Sequence, residues 1–142
     1  MLITIIVPCY NEKNTLEKLI LKLNSLKKIK KQIIIIDDGS SDGTTEIIKN
    51  KLKKKVNKVI FHKKNSGKGS AIKSAIKFVR GNIVINQDAD LEYDQKEYYK
   101  LIKPFENSKV NVVYGSRVLD RKKKIYHHNL EKIYRIFGNF IL

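Results

Sequence analysis

Two carboxylates stand two residues apart in the segment Gln87-Asp88-Ala89-Asp90, directly after a short apolar run. Such a pair can hold a hard divalent cation, because proteins bind Mg²⁺ and Mn²⁺ through one or two carboxylates together with water and phosphate oxygens. The alternative is a solvated acidic turn, since a lone D-x-D pattern is a weak signal. A calcium-binding EF-hand loop does not fit, because its sixth position would be Tyr93 instead of Gly and its twelfth Tyr99 instead of Glu.

A second acidic segment, Asp37-Asp38-Gly39-Ser40, follows another apolar run. In nucleotide-binding α/β folds an acidic side chain at a strand end holds a ribose hydroxyl, and a carboxylate can equally accept a base N–H. The alternative is a plain turn with an aspartate helix cap, which Asp42 alone could supply. Two adjacent acids in so basic a chain favour the functional interpretation.

The segment Asn65–Ser70 resembles a phosphate-binding loop, because glycines, Lys68 and the start of a predicted helix come together there. It is not a Walker A loop, since His62 stands where the first glycine is required. It is not a G-x-G-x-x-G loop either, since Ile72 takes the place of the third glycine. A simple glycine turn before a helix is the alternative.

The charge balance favours an anionic partner. Among 142 residues, 30 Lys and Arg against 14 Asp and Glu give a net charge of +16. Nucleic acid, a membrane surface and a phosphorylated substrate all fit that charge. Almost all the basic residues are lysines, which weakens sequence-specific DNA binding because guanine is read mainly by arginine.

The remaining composition indicates one domain in a reducing compartment. The single cysteine, Cys9, excludes an intramolecular disulfide and a cysteine-rich zinc site, and we expect it to be a small buried hydrophobe. No apolar run approaches the ~20 residues that cross a bilayer, and the N-terminus lacks the pattern of a signal peptide. We therefore expect a cytoplasmic protein.

Strand-like and helix-like segments alternate along the chain and predict an α/β fold with a mostly parallel sheet and helices on both faces. The predicted strands are Leu2–Val7, Gln32–Ile36, Val56–Phe61, Ile83–Ile85 and Val110–Tyr114. Helices with capping-box-like starts are predicted after Asn14 and Asp94, and others over Thr44–Leu52, Ser66–Val79 and Leu130–Ile141. The polar segments follow the strands, so we expect them to share one rim of the sheet.

Together the polar segments resemble the family 2 glycosyltransferases of Rossmann-like GT-A fold, and within them the polyprenyl-phosphate (dolichyl-phosphate) mannose or glucose synthases. Five segments in order carry this resemblance: Val7–Glu12, Asp37–Thr44, Asn65–Gly69, Gln87–Asp94 and Gly115–Arg117. The resemblance covers the chain from Leu2 to Arg117. The family's catalytic domain is longer than 142 residues, so we expect one GT-A domain over residues 1–142 that is incomplete at its C-terminus.

The resemblance implies a role for each matching residue. The nucleoside pocket would be lined by Pro8, Tyr10, Glu12, Ile36 and Asp38. The donor diphosphate and its Mg²⁺ or Mn²⁺ would be held by Asp88 and Asp90, with the Ala89 backbone nearby, Glu92 as a further metal contact and Lys68 on the donor side. Glu92 departs from the Gln of many members, and Gln95 from a common Pro. Arg117 would meet the acceptor phosphate, and Asp90 and Arg117 would be the catalytic residues.

The implied reaction is the inverting transfer of a sugar from a GDP-mannose- or UDP-glucose-type donor to a polyprenyl phosphate. It implies peripheral contact with the cytoplasmic membrane face and no nucleic acid. One alternative is a family 2 transferase acting on a sugar hydroxyl in polysaccharide or cell-wall synthesis. A third hypothesis is a non-catalytic basic protein that binds nucleic acid or anionic membrane, against which the acidic segments argue. The last predicted helix could lie in a membrane interface or pack against the sheet.

Overall fold

The computed structural model describes residues 1–92, 97–107 and 109–113. The chain divides into two compact units, Met1–Tyr98 and Tyr99–Leu142. The first unit holds a sheet of four strands: β1 (Ile3–Cys9), β2 (Lys31–Asp37), β3 (Lys58–Phe61) and β4 (Ile83–Asn86). The helices are α1 (Leu16–Ser25), α2 (Thr44–Ile47), α3 (Lys68–Ile76) and α4 (Tyr98–Ile102). A π-helical segment (Ile48–Leu52) and a 3₁₀ turn (Lys53–Lys55) extend α2, and a second 3₁₀ turn (Lys103–Glu106) follows α4.

The sheet is parallel throughout and has the strand order β3-β2-β1-β4. The chain runs outward from β1 to β3 and then returns across the sheet to place β4 on the other side of β1. Because parallel crossovers are right-handed, this reversal puts α3 on the face opposite to α1 and α2. The predicted parallel sheet with helices on both faces is therefore confirmed, and its switch point lies between β1 and β4.

The two central strands are apolar on both faces because both faces are covered. Ile6, Ile34 and Ile36 form one buried cluster with residues of α3, namely Ala71, Ile72 and Ala75. The alternate residues of β1 and β2 are also buried, as is the apolar side of α1, formed by Leu16, Leu19, Ile20 and Leu23. Each large aliphatic side chain buried in this way contributes about 1.5–3 kcal/mol.

A buried polar network joins the end of the α3 segment to the sheet. Thr4 Oγ1 donates to Gln32 Oε1 at 2.8 Å, and Gln32 Nε2 donates to the Phe78 carbonyl oxygen at 2.9 Å. Gly81 N donates to Thr4 Oγ1 at 2.8 Å. A Cβ at Gly81 would lie 2.5 Å from Thr4 N, so only glycine permits this close approach.

Some predicted elements differ from the observed ones. Among the described residues, the helix predicted after Asp94 is α-helical over α4, and the helix predicted over Thr44–Leu52 is α-helical only in α2. Residues 110–113 form no strand, since Val110 N donates instead to the Asn107 carbonyl oxygen at 3.0 Å. Tyr114, Arg117 and the predicted last helix lie outside the described residues. Within the described ranges, none of the helices has the length and hydrophobicity needed to cross a bilayer.

Candidate functional site

The loops that follow the four strands form what we call the carboxyl edge, residues 10–15, 38–43, 62–67 and 87–92. Hydrogen bonds to side chains connect the loop after β1 with the loop after β2. Asn11 N donates to Ser40 Oγ at 2.9 Å, and Ser41 N donates to Asn11 Oδ1 at 2.9 Å. Glu12 N donates to Thr44 Oγ1 at 2.9 Å. The loops after β1 and β2 are therefore one connected rim.

The predicted nucleoside-pocket residues separate into two groups on this rim. Tyr10 is 46% exposed at the end of β1, and its ring is available to a ligand. Glu12 is half-buried, and its carboxylate accepts a hydrogen bond from the Thr15 hydroxyl. The N-cap residue of α1 is Thr15 instead of the predicted Asn14, and its side chain makes no capping hydrogen bond. Ile36 does not fit the prediction, because its fully buried side chain packs against α3 within the core.

Pro8 is buried within β1 and determines where β4 leaves the sheet. Gln87 N donates to the Ile6 carbonyl oxygen at 2.9 Å, and Asn86 is the last residue of β4 in register with β1. Pro8 is the next residue of β1 that faces β4, and it has no N–H to continue the ladder. The chain after Gln87 is consequently free to turn away and present Asp88. Pro8 thus acts through the backbone.

Asp38 is a buried structural carboxylate, with a side chain only 5% exposed. It accepts Ser66 N at 3.0 Å and Gly67 N at 2.8 Å, and it lies 2.7 Å from His62 Nδ1. These donors occupy both carboxylate oxygens at the start of α3, where negative charge is favourable. The predicted ribose contact is not supported by this geometry, because Asp38 already binds the loop that follows β3.

His62 completes a chain of contacts that sequence reasoning missed. Its Nε2 lies 2.9 Å from Ser74 Oγ, so Asp38, His62 and Ser74 line up as in a hydrolytic triad. Ser74 Oγ, however, also donates to the Ser70 carbonyl oxygen at 3.1 Å within α3. The arrangement therefore ties α3 to the ends of β2 and β3. The three residues are far apart in the sequence, and no local pattern signals their contact.

Asp88 and Asp90 lie at the switch point, on the loop after β4. Asp88 Oδ1 forms an ion pair with Lys68 Nζ at 2.6 Å, and the Asp88 side chain is 31% exposed. Ala89, between the two aspartates, is buried and anchors the loop. The carboxylates of Asp88 and Asp90 flank this anchored residue. Asp90 is exposed, and its Oδ1 accepts Glu92 N at 3.1 Å. The structure thus brings the Lys68 side chain into contact with the acidic segment.

A buried tyrosine supports the loop that carries Asp88. Tyr98 OH donates to Gln87 Oε1 at 2.7 Å, and Gln87 Nε2 donates to the Asp88 carbonyl oxygen at 2.8 Å. Burial raises the pKa of Tyr98 above its usual range, which keeps its hydroxyl protonated as a donor. Tyr98 is therefore a positioning residue for Asp88 that sequence reasoning missed.

The donor set at Asp88 and Asp90 fits a magnesium-type ion. Such ions take one or two carboxylates and fill their other positions with water and phosphate oxygens. The Lys68 ammonium already shows that a cation is accommodated on Asp88. In the described part of the chain, no three His, Cys, Asp or Glu side chains form a metal-binding group, so the predicted trio with Glu92 is not assembled.

Cys9 plays no part in this chemistry. Burial, assisted by nearby carboxylates, raises the pKa of its thiol well above the usual range, so the thiol stays protonated. Its Sγ lies 3.4 Å from the Ile36 carbonyl oxygen, to which it donates. The prediction of a small buried hydrophobe is confirmed.

Known proteins resemble this chain in sequence and fold. The chain is 39% identical over 126 residues to the poly-β-1,6-N-acetyl-D-glucosamine synthase of Staphylococcus aureus, covering 87% of the chain and 30% of the relative. It is 33% identical over 118 residues to the dolichol-phosphate mannosyltransferase of Pyrococcus furiosus, covering 82% of the chain and 33% of the relative. The chain therefore spans about a third of the length of these relatives.

A solved structure confirms the fold. The mannosyltransferase PcManGT from Pyrobaculum calidifontis, in complex with GDP-Man and Mn²⁺, matches with a TM-score of 0.61 and 24% identity, covering 68% of this chain and 30% of that chain. The family profile described as Glycosyl transferase family 2 matches residues 4–141. With its parallel sheet and the polar loops at the carboxyl edge, the chain belongs to glycosyl transferase family 2.

Proposed function

We propose that this chain is the donor-binding part of a glycosyltransferase that uses a nucleoside diphosphate sugar and Mg²⁺ or Mn²⁺. The observation that carries the proposal is the pairing of Lys68 with Asp88 at the switch point, beside the exposed Asp90. A bound diphosphate needs positive charge from both a metal ion and the protein. Asp88 and Asp90 offer ligands for the metal ion, and Lys68 supplies the protein's positive charge. Support comes from two relatives, one named a poly-β-1,6-N-acetyl-D-glucosamine synthase and the other a dolichol-phosphate mannosyltransferase.

The residues of the carboxyl edge then have separate tasks. Asp88 and Asp90 would hold the metal ion, which when bound supplies positive charge to the leaving diphosphate. Lys68, at the first turn of α3, would add its own charge to the same phosphates. Tyr10, exposed at the end of β1, offers a ring surface for the nucleoside base. Buried Gln87 and Tyr98 would keep the acidic loop in place.

The ion pair of Lys68 and Asp88 suggests an order of events. While Lys68 contacts Asp88, it occupies a carboxylate oxygen that a metal ion would use. With a donor diphosphate bound, the Lys68 ammonium would turn from Asp88 toward the phosphate oxygens, which carry more negative charge, and the Asp88 oxygen would become available to hold the cation. Lys68 is half-exposed on a flexible stem, so this movement needs no change in the backbone.

The first acceptor candidate is a polyprenyl phosphate at the cytoplasmic membrane face. An acceptor phosphate is already anionic and needs no catalytic base, and Arg117 would neutralise it. Support comes from the net charge of +16, which suits peripheral contact with phospholipid, and from the relative named dolichol-phosphate mannosyltransferase. Inversion at the sugar carbon and the catalytic roles of Asp90 and Arg117 belong to this proposal.

The second acceptor candidate is a sugar hydroxyl on a growing polysaccharide. The relative with 39% identity is named as a poly-β-1,6-N-acetyl-D-glucosamine synthase, which favours this candidate. A hydroxyl acceptor requires a carboxylate base to remove its proton. Product analysis with a polyprenyl phosphate against an oligosaccharide acceptor separates the two candidates, because only one of them becomes labelled from a radioactive donor.

Calorimetric titration with UDP- and GDP-sugars, with and without Mn²⁺, tests the donor proposal. We expect binding that requires Mn²⁺ and that falls at least ~100-fold in Asp88→Ala and Asp90→Ala. Glu46→Ala removes an exposed acid from α2 with the same change in charge, and it should leave binding unchanged. An affinity for the nucleotide sugar that is the same with and without Mn²⁺ would contradict the proposal. An affinity that is unchanged in both aspartate variants would contradict it as well.

A further inference from the structure

Eight lysines gather at the edge of the sheet where strands β2 and β3 begin, opposite the carboxyl edge. They come from the segments that lead into these two strands. We call this surface the lysine edge and define it as Lys27, Lys28, Lys30, Lys31, Lys53, Lys54, Lys55 and Lys58. All of them are exposed except Lys31, which is half-buried.

Hydrogen bonds hold the two lysine segments side by side. Asn24 Nδ2 donates to the Lys55 carbonyl oxygen at 3.0 Å. Asn57 N donates to the Ile33 carbonyl oxygen at 3.0 Å, and Ile33 N donates to Asn57 Oδ1 at 2.8 Å. An open groove of about 380 Å³ lies between the segments, and its lining includes Lys54 and Lys55. The charges are thus presented together from an ordered backbone.

No carboxylate neutralises the lysine edge within the part of the chain that the structure describes. The sequence has no Asp or Glu between residues 18 and 36 or between residues 47 and 87. Lys51, which pairs with Glu17 at 3.0 Å, lies outside the set. Lys31 donates to the Leu26 carbonyl oxygen, and burial lowers its pKa. The Lys58 ammonium lies over the Phe78 ring, 4.5 Å from its centroid. The ammonium groups of the other six lysines repel one another until an anionic partner approaches.

We propose that the lysine edge docks the protein on an anionic phospholipid surface. Clusters of about four to eight basic residues bind anionic membranes through point charges on long, mobile stems. Nucleic-acid surfaces add arginine forks for base edges or aromatic rings for stacking, and residues 27–31 and 53–58 contain neither. The neighbouring Phe78 ring is half-buried and lies under the ammonium groups of Lys58 and Lys77, so it is not an open stacking surface. The chemistry of the edge therefore fits a diffuse array of lipid phosphates better than a nucleic acid.

Docking through the lysine edge fixes which way the candidate site faces. The seven residues of β1 separate the two edges by about 20 Å at the usual rise of a strand. The carboxyl edge would then face away from the bilayer. Membrane contact of this kind no longer supports a lipid-bound phosphate as the acceptor, and it favours the hydroxyl acceptor instead. Only the preference for a hydroxyl acceptor rests on the proposed function. The docking itself does not depend on sugar transfer.

Vesicle sedimentation tests the docking. The chain should sediment with mixed phosphatidylcholine and phosphatidylglycerol vesicles and not with pure phosphatidylcholine vesicles. The triple variant K53Q/K54Q/K55Q should weaken this binding by on the order of 100-fold, because each exposed lysine contributes independently near an anionic surface. The matched control K13Q/K63Q/K64Q removes the same charge from the carboxyl edge, and it should retain at least half of the binding.

Three outcomes would overturn the proposal. Equal losses in both triple variants would show a response to net charge alone. Retained binding in K53Q/K54Q/K55Q would show that another surface docks. Displacement of the vesicles by a short DNA duplex at lower concentration than by phosphatidylglycerol micelles would assign the edge to nucleic acid. Circular dichroism of each variant checks folding, and Mn²⁺-dependent nucleotide-sugar binding, measured separately, shows whether the donor proposal stands or fails on its own.

Discussion

The two edges of the sheet differ in how the backbone presents their charges. Among the described residues, every residue with a positive φ angle lies at the carboxyl edge: Asn11, Gly39, Gly43, Gly67 and Leu91. The lysine edge has none and presents its charges on long side chains. Backbone strain is common in binding sites, where the groups that contact a ligand must be held at fixed positions. A diffuse surface needs only charge density, so ordinary loops suffice there.

The edges also differ in how their charges are paired. At the carboxyl edge, Asp38 accepts two backbone N–H groups and contacts His62, and Asp88 pairs with Lys68. At the lysine edge, the side chains other than Lys31 are exposed, and the Lys58 ammonium lies 4.5 Å from the ring centroid of Phe78. Substitutions at the first edge should therefore change stability or metal affinity, and substitutions at the second should change only binding to an anionic surface.

The largest expected effect comes from a glycine of the carboxyl edge. A Cβ at Gly39, where φ is +73°, would lie 2.6 Å from the carbonyl carbon of Lys64. Gly39→Ala should therefore lower the free energy of unfolding by roughly 4 kcal/mol, from backbone strain plus the clash. Urea denaturation measures this loss.

Gly67 is the matched control for that substitution. Its φ is +85°, but a Cβ there would have no atom within 4 Å. Gly67→Ala should cost about 1–3 kcal/mol, from strain alone. Equal losses at the two positions would show that the close packing of the β2 and β3 loops does not hold in solution.

The next effect separates the two kinds of acid at the carboxyl edge. Asp38→Ala should cost about 2–4 kcal/mol, because it leaves the N–H groups of Ser66 and Gly67 without their acceptor. Asp90→Ala, at an exposed position, should change the unfolding free energy by less than about 0.5 kcal/mol while weakening Mn²⁺-dependent nucleotide binding at least ~100-fold. A stable Asp38→Ala variant that no longer binds nucleotide would restore the ribose role to Asp38.

Strands β1 and β2 were predictable because unbroken β-branched runs suit buried parallel strands. The shared rim followed from their alternation with helices. Ile36 was assigned to the pocket by its place in a motif, whereas the two-residue period of a strand puts it on the same face as Ile34, in the core. The carboxyl edge as a whole was thus better predicted than the direction of its individual side chains.

The unpredicted features are contacts between distant segments. Asp38 meets His62 across 24 positions, and Tyr98 meets Gln87 across 11. Such pairs depend on the packing of loops, which local sequence patterns do not encode. The lysine edge is of the same kind, since its two segments become neighbours only when β2 and β3 pair.

The smallest expected effect concerns Lys68. Lys68→Met should raise the affinity for Mn²⁺ alone by about 2–5-fold, because it removes a competing cation from a partly exposed carboxylate. The same variant should bind nucleoside diphosphate more weakly, since a charged donor to phosphate is lost. Lys73→Met, at an exposed position on the same helix, is the control. Unchanged Mn²⁺ affinity in Lys68→Met would mean that the ion pair does not limit metal binding.

The central claim is that metal and donor bind at the carboxyl edge and not at the lysine edge. The most direct measurement is the paramagnetic broadening of backbone amide NMR signals by Mn²⁺ in the presence of a nucleoside diphosphate. We expect the amide signals of Gly67, Ala89 and Asp90 to disappear at low Mn²⁺, while those of Lys54 and Lys55, about 20 Å away, persist. Broadening that begins at the lysine edge, or that is uniform along the chain, would contradict the account.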